Sequence, residues 1–306
     1  MLRYRDILRS FEYDMQTNSE QISKVMPEIT GSTKVVALVG SGISYSLSPS
    51  IHNYSAALLK RDCVCIPIDV GPLSVKPVLD VLWSMGAEGA SITTPHKEAV
   101  AREVAGGCAS VNSIYRGEGH WVGQSTDAEG LARALQRVGV ELAEFKHVVI
   151  LGSGGVTLAI LEYLKNSSSL KDITVIRRNS ERDAALKNAL LPNEKIIKFL
   201  PFEPDSLKSM LFNKSDDTLL IQATNAPYHG DDLSAFCPGL DDFSGVVVDL
   251  IYSTPSALLT RAKELGLISQ DGLPMLIEQA LLSQRMWWGQ SAEYQSIFEM
   301  LKNRIK

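Results

Sequence analysis

Short apolar runs alternate along this chain with amphipathic stretches closed by glycine or proline, a rhythm that predicts strands alternating with helices. The first run is Val35-Val36-Ala37-Leu38-Val39, bounded by Gly40-Ser41-Gly42. Its unbroken β-branched character reads as a strand buried on both faces. Further strands are predicted at 63–68 and 90–93, with helices opening at Ser48-Pro49, spanning 73–85 and following Pro95. Ser48 suits an N-cap and Pro49 the first helical position. Residues 111–115 and 120–122 read as a hairpin around Gly117-Glu118-Gly119, and a helix is predicted over 127–138.

A second α/β unit begins at His147. Strands are predicted at 148–151, 173–176, 219–222 and 246–250, with a helix over 156–165. From Asp271 the chain ends in helices, and Gly289 after Trp287-Trp288 supplies a stop. Residues 1–33 read as a polar, partly helical extension. The fold class is therefore α/β, with two domains that each carry a mainly parallel, right-handed sheet.

Composition narrows the partners. With 45% hydrophobic residues in 306, the chain can bury a real core, and a net charge of −5 without a basic stripe argues against nucleic acid. No run of apolar residues is long enough to cross a membrane. Arg3, Arg5, Asp6 and Arg9 interrupt the start where a signal peptide needs an apolar run, so a cytoplasmic protein is expected. Cys63, Cys65, Cys108 and Cys237 lack metal-ligand spacing and are too few for a disulfide scaffold; no metal is expected.

The most informative stretch is Gly89-Ala90-Ser91-Ile92-Thr93-Thr94-Pro95-His96-Lys97. It begins as a small, apolar strand and turns polar at a proline that cannot continue a sheet ladder. Hydroxyls, an imidazole and an ammonium are thereby delivered to the carboxyl end of the sheet, where open α/β folds bind ligands. Read alone, Lys97 would be a solvated lysine at a turn. The loop from Gly40 to Asn53 is rich in hydroxyls and feeds a helix N-terminus, which suits a carboxylate or simple capping.

The strand at 148–151 runs into Gly152-Ser153-Gly154-Gly155 and then a helix, the setting a dinucleotide fingerprint requires. Thr157 stands where the third glycine would be, so the motif alone is weak. The next strand ends in Arg177-Arg178-Asn179, with Arg182 close behind and no acid at the strand end. Guanidinium forks match a 2′-phosphate, so NADP is favoured over NAD.

Together these segments resemble the shikimate dehydrogenase family across roughly residues 35–290. The resemblance is carried by Ser46-Leu47-Ser48-Pro49 with His52-Asn53, Thr93-Thr94-Pro95-His96-Lys97, Val111-Asn112 and Ser125-Thr126-Asp127 with Gly130. The glycine loop, Arg178 with Arg182, Ala223-Thr224, Asp249-Leu250-Ile251-Tyr252 and the run from Gly272 to Gln279 complete it. It implies an N-terminal substrate domain (1–126 with 256–306), a Rossmann-type NADP domain (127–255) and a cleft between them. It also implies an NADP-dependent oxidoreductase that interconverts a cyclic polyhydroxy carboxylate and its ketone. Ser46, Ser48 and Tyr252 would bind the carboxylate, while Thr93, Asn112 and Gln279 would contact ring hydroxyls. Lys97 would be the acid/base with Asp127 beside it. Gly152, Ser153, Gly154, Gly155, Arg177, Arg178, Arg182, Thr224 and Gly272 would hold the cofactor. A small-molecule partner and a monomer or homodimer are expected.

The chain departs from that family's pattern at several positions. Ser91 and Ser125 stand where asparagines are usual, Tyr45 replaces a histidine, Gly42 a proline and Gln222 an asparagine, and the 97–112 stretch is short. These changes keep open a quinate or aminoshikimate-type dehydrogenase, or a non-catalytic NADP-binding regulator. A methylenetetrahydrofolate dehydrogenase is a weaker rival, which the Ser46/Ser48 loop speaks against. Among the other residues, His96 is expected at a turn or the surface and His52 in local contacts. Trp287, Trp288, Cys63 and Cys65 are expected in the core, and Glu278 turned away from Gln279.

Overall fold

The structure is a computed structural model that describes residues 29–71, 75–191, 196–212, 216–252, 254 and 256–302. Most of the extension expected over 1–33, and the start of the helix expected at 73, lie outside the described residues.

The first sheet contains β1 (Lys34–Gly40), β2 (Cys63–Asp69), β3 (Gly89–Ile92), β4 (Ser113–Arg116) and β5 (Trp121–Gln124), in the order β2-β1-β3-β4-β5. The first three strands are parallel, and β4 and β5 return antiparallel as the expected hairpin. Around them run α1 (Ser48–Leu58), α2 (Lys76–Ser84) and α3 (Lys97–Glu103). After α4 (Asp127–Gln136), the second sheet is built from β6 (His147–Leu151), β7 (Asp172–Arg177), β8 (Ile196–Pro201), β9 (Thr218–Gln222), β10 (Val246–Asp249) and β11 (Ser269–Gln270). Its order β11-β10-β9-β6-β7-β8 is all parallel and reverses direction between β6 and β9. This is the doubly wound dinucleotide-binding order. Helices α5 (Gly155–Leu164), α6 (Asp183–Ala189), α7 (Pro204–Leu211) and α8 (Ala257–Glu264) cover its faces, and α9 (Leu273–Trp288) and α10 (Tyr294–Lys302) close the chain.

The sequence pattern predicts neither helices α6, α7 and α8 nor two of the strands. β8 was missed, and so was β11, which is two residues long and held by its neighbour β10. Leu258 and Ala262 of α8 bury against the second sheet with Val247. Residues from 256 to 270 therefore pack with the second unit, and the chain returns to the first only with α9. Gly289 ends α9 in the left-handed conformation, as its position predicted.

Helix α9 joins the two units. At one end the Trp287 indole N–H donates to the Ile114 carbonyl at 2.8 Å. Gly89 makes room for that ring: a Cβ there would lie 2.3 Å from the indole. Further up, a Cβ on Gly130 of α4 would lie 2.9 Å from the Gln279 backbone nitrogen. Met275, still on α9, packs in the core of the second sheet with Leu131, Leu135 and Ile150. A single helix thus fixes α4 and both sheets relative to the cleft.

Candidate active site

Parallel sheets expose their ligand crevices beyond the carboxyl ends of strands that flank a reversal of order. In the first sheet these are β1 and β3, where the Ser41 N–H donates to Thr94 O at 3.0 Å. In the second they are β6 and β9, which deliver Gly152 and Thr224. Both crevices open on one cavity of about 190 Å³. That is smaller than the roughly 300–1,000 Å³ typical of drug-sized ligands, so it suits a small metabolite. Ser46, Ser48, Thr93, Lys97, Asn112, Asp127, Thr224, Tyr252, Gly272 and Gln279 all line it.

At its centre the Lys97 ammonium donates to Asp127 Oδ2 at 2.6 Å. Each begins a helix, and Asp127 gains from the positive end of α4. Only 9% of Lys97 and 3% of Asp127 is exposed. Charges so buried persist only when paired and hydrogen-bonded. Asn112 supplies the second contact, with Nδ2 3.1 Å from Asp127 Oδ1. The same amide nitrogen lies 2.8 Å from Thr126 Oγ1 and 2.9 Å from Gln279 Oε1, while Asn112 Oδ1 accepts the Thr126 N–H at 2.6 Å. Gln279 Nε2 donates to Leu276 O at 3.0 Å, which fixes its carbonyl toward Asn112. Helices α3, α4 and α9 and the residues just before β4 and α4 thus hold one polar network.

On the opposite side are the hydroxyls expected to meet a carboxylate. Ser48 is the first residue of α1 rather than its cap: Leu47 already has helical angles and occupies that place. Ser48 lines the cavity instead. Its N–H donates to Ser46 Oγ at 3.3 Å, and Ser46 also bonds the Tyr252 hydroxyl. Burial, followed by the nearby Tyr228 and Tyr45, pushes the Tyr252 phenol well above its ordinary pKa, so it remains a neutral donor. Tyr45 and Tyr228 stack at 4.5 Å and continue this wall from the first unit to the second.

The glycine loop fits a nucleotide diphosphate. Gly152 has φ +110°, and a Cβ there would lie 3.0 Å from the Thr224 side chain. Gly154 precedes α5 without a side-chain cap, leaving the helix's first N–H groups to an anion. Thr157, in place of a third glycine, donates its hydroxyl to Gly152 O at 3.0 Å and braces the turn. Gly155 abuts the lysine, since a Cβ there would lie 3.3 Å from Lys97 Cδ. The loop and Lys97 are therefore neighbours.

The arginines differ from one another. Arg177 is occupied by Asp183 through two bonds of 2.9 and 2.7 Å, within its own turn. Arg178 is exposed, with Asp231 at 3.4 Å and the Phe202 ring at 5.0 Å. Arg182 is ion-paired with Glu98 of α3. A loose exposed pair such as Arg178–Asp231 is worth little and yields readily to a phosphate.

Residues 38–106 match the sequence profile described as the shikimate dehydrogenase substrate binding domain. The shikimate dehydrogenase (NADP(+)) of Methanothermobacter thermautotrophicus is 31% identical over 285 residues, covering 90% of this chain and 98% of its own. The chain belongs to the shikimate dehydrogenase family. A shikimate dehydrogenase solved in complex with NADP+ superposes with a TM-score of 0.78 at 26% identity, covering 91% of this chain and 98% of that one. The Thermus thermophilus shikimate 5-dehydrogenase, solved with NADP(H) and shikimate, gives 0.71 at 25% identity, covering 90% and 100%.

Several residues stand apart from their sequence reading. His96 closes the expected turn, its N–H donating to Thr93 O at 2.9 Å, but it is buried rather than at the surface, with Nε2 3.0 Å from Val70 O under the loop that follows β2. His52 is fully buried and bonds far along the chain, to Ser91 and Gln284. Trp287, Trp288, Cys63 and Cys65 share a core cluster as expected, and Glu278 points away to Arg137. Thr126 and Tyr228 belong to the site without having been singled out for it. Thr126 carried a signal, a hydroxyl immediately before Asp127. Tyr228 carried none, since only the folded turn Ala226–His229 brings it to the cavity.

Proposed function

We propose that this protein is an NADP-dependent shikimate dehydrogenase, interconverting shikimate and its 3-keto form. The observation that carries the reading is the buried Lys97–Asp127 pair, set between a hydroxyl-lined cavity and the N-terminus of a nucleotide-type glycine loop. The NADP(+)-dependent relatives and the structures that hold NADP and shikimate support the same assignment.

In this reading Ser46, Ser48 and Tyr252 receive the carboxylate, and Thr93, Asn112 and Gln279 the ring hydroxyls. Gly152, Ser153, Gly154 and Gly155 cradle the diphosphate, with Thr224 and Gly272 beside the bound cofactor. Arg178 and Arg182 hold the 2′-phosphate while Arg177 braces the turn against Asp183. Bound there, NADP would supply the hydride chemistry that interconverts the alcohol and the ketone. Lys97 would take up the hydroxyl proton as the neutral amine and donate it back as the ammonium, with the Asp127 carboxylate holding its Nζ in place. The first unit and α9 form the substrate side; α4 through β11 form the cofactor side. No described helix is long and apolar enough to cross a membrane. A small polar substrate and four free cysteines fit a cytoplasmic enzyme.

Steady-state turnover of shikimate, quinate and aminoshikimate with NADP and with NAD tests the assignment. The expected result is the highest kcat/KM for shikimate with NADP. Preference for another member of the panel would redirect the substrate, and binding of NADP without turnover of any would remove the activity.

A further inference from the structure

At the edge of the cavity the Ser91 hydroxyl lies 3.2 Å from His52 Nε2, and a side chain of α9 sets the state of that ring. The Ala292 N–H donates to Gln284 Oε1 at 3.2 Å, which identifies the oxygen and leaves the amide nitrogen as a donor. That nitrogen lies 2.9 Å from Ser55 Oγ and 3.3 Å from His52 Nδ1. An amide N–H can only donate, so Nδ1 is the accepting nitrogen. His52 is fully buried, and burial alone brings its pKa down to about 3. The ring is therefore neutral and its single proton sits on Nε2. Trp287 packs against it at 4.8 Å and holds its orientation.

It follows that Nε2–H donates to Ser91 Oγ, and the serine's own proton is not spent on the ring. Among the described residues His52 is the only hydrogen-bond partner of that hydroxyl, and Ser91 lines the cavity. We propose that Gln284 and His52 are positioning residues that turn Ser91 into a proton donor toward the cavity, where it recognises an acceptor oxygen on the substrate ring. The proposal rests on the assignment of this cavity to shikimate. In the opposite tautomer Nε2 would take the serine's proton and leave only lone pairs for a ligand. A ring carbon without oxygen at this point would leave the donor unmatched, which is how a polar pocket rejects a deoxy analogue.

Two measurements on the full chain test this. Ring 15N shifts of His52 at neutral pH should report a bare Nδ1 and a protonated Nε2; the reverse tautomer, or an imidazolium, overturns the relay. Kinetics would use shikimate and the two analogues that each lack one of the hydroxyls not being oxidised. Ser91→Ala should raise KM for shikimate about three- to tenfold, as expected for one lost hydrogen bond, with the effect on KM rather than kcat. For one analogue, the one already lacking the partner oxygen, the same substitution should leave KM where it is. His52→Phe, which keeps the ring's bulk, should raise KM for shikimate without touching the ligand. An equal effect of Ser91→Ala on all three ligands would overturn the proposal. If the wild type does not turn over shikimate, the assigned activity fails instead, and the ring tautomer still decides the relay.

Discussion

Arg182, at the foot of the second unit's arginine turn, is ion-paired with Glu98, the residue that follows Lys97 in α3. The pair crosses the cleft, so the cation proposed for the cofactor's 2′-phosphate is held beside Lys97 by a carboxylate that a phosphate bound there would displace. Glu98→Gln should therefore tighten NADP binding more than NAD binding. Arg182→Ala with Arg178→Ala should do the reverse. With charge-assisted bonds worth about 1.5–3 kcal/mol each, the NADP-to-NAD preference should fall at least tenfold. Fluorescence titration with both dinucleotides reads the effect, and an unchanged ratio would reject the assignment.

His52 predicts an acid-labile fold. Its partners Ser91 and Gln284 are uncharged, and burial lowers its pKa from 6.5 to about 3. Between those values the unfolded chain binds one more proton than the folded one. The stability His52 permits is therefore complete above pH 6.5 and declines toward pH 3, by about 1.4 kcal/mol per pH unit. Urea unfolding of wild type and His52→Gln from pH 7 to 4 should show a shallower decline in the variant. Parallel curves would contradict the buried, neutral ring.

Gly130 should tolerate no side chain. A Cβ would press on Gln279 at 2.9 Å, where α4 meets α9 through backbone rather than side chains. Gly130→Ala should cost about 1–3 kcal/mol of stability by overpacking. It should also raise KM for shikimate by displacing Gln279 from Asn112. Retained KM and Tm would show that the helices part without moving the site.

The sequence made the frame of this site legible because its chemistry sits in local motifs. Proline after a polar strand end placed Lys97, and a strand leading into glycines placed Gly152. The arginine turn needed only the strand before it. What stayed hidden depends on distant chain segments. His52, Ser91 and Gln284 are separated by long stretches and meet only because α1, β3 and α9 converge; no local pattern marks a histidine whose partners lie so far off. Tyr228 reaches the cavity through an irregular turn with no periodicity to read. β11 escaped because two residues give no alternation, and with it the point at which the chain returns to the first unit. The burial of His96 under the loop after β2, whose Val70 carbonyl it meets, likewise depends on chain outside its own segment.

Lys97, held by Asp127, is proposed to move the substrate proton. The most direct test is single-turnover reduction of the ketone by Lys97→Met, which keeps the aliphatic stem against Gly155 and removes the ammonium, with NADP affinity measured on the same sample. General acid–base groups contribute about 10²–10⁴-fold, so the rate should fall by at least a hundredfold while NADP binds as in wild type. Turnover within a few-fold of wild type, with NADP bound, would contradict the account.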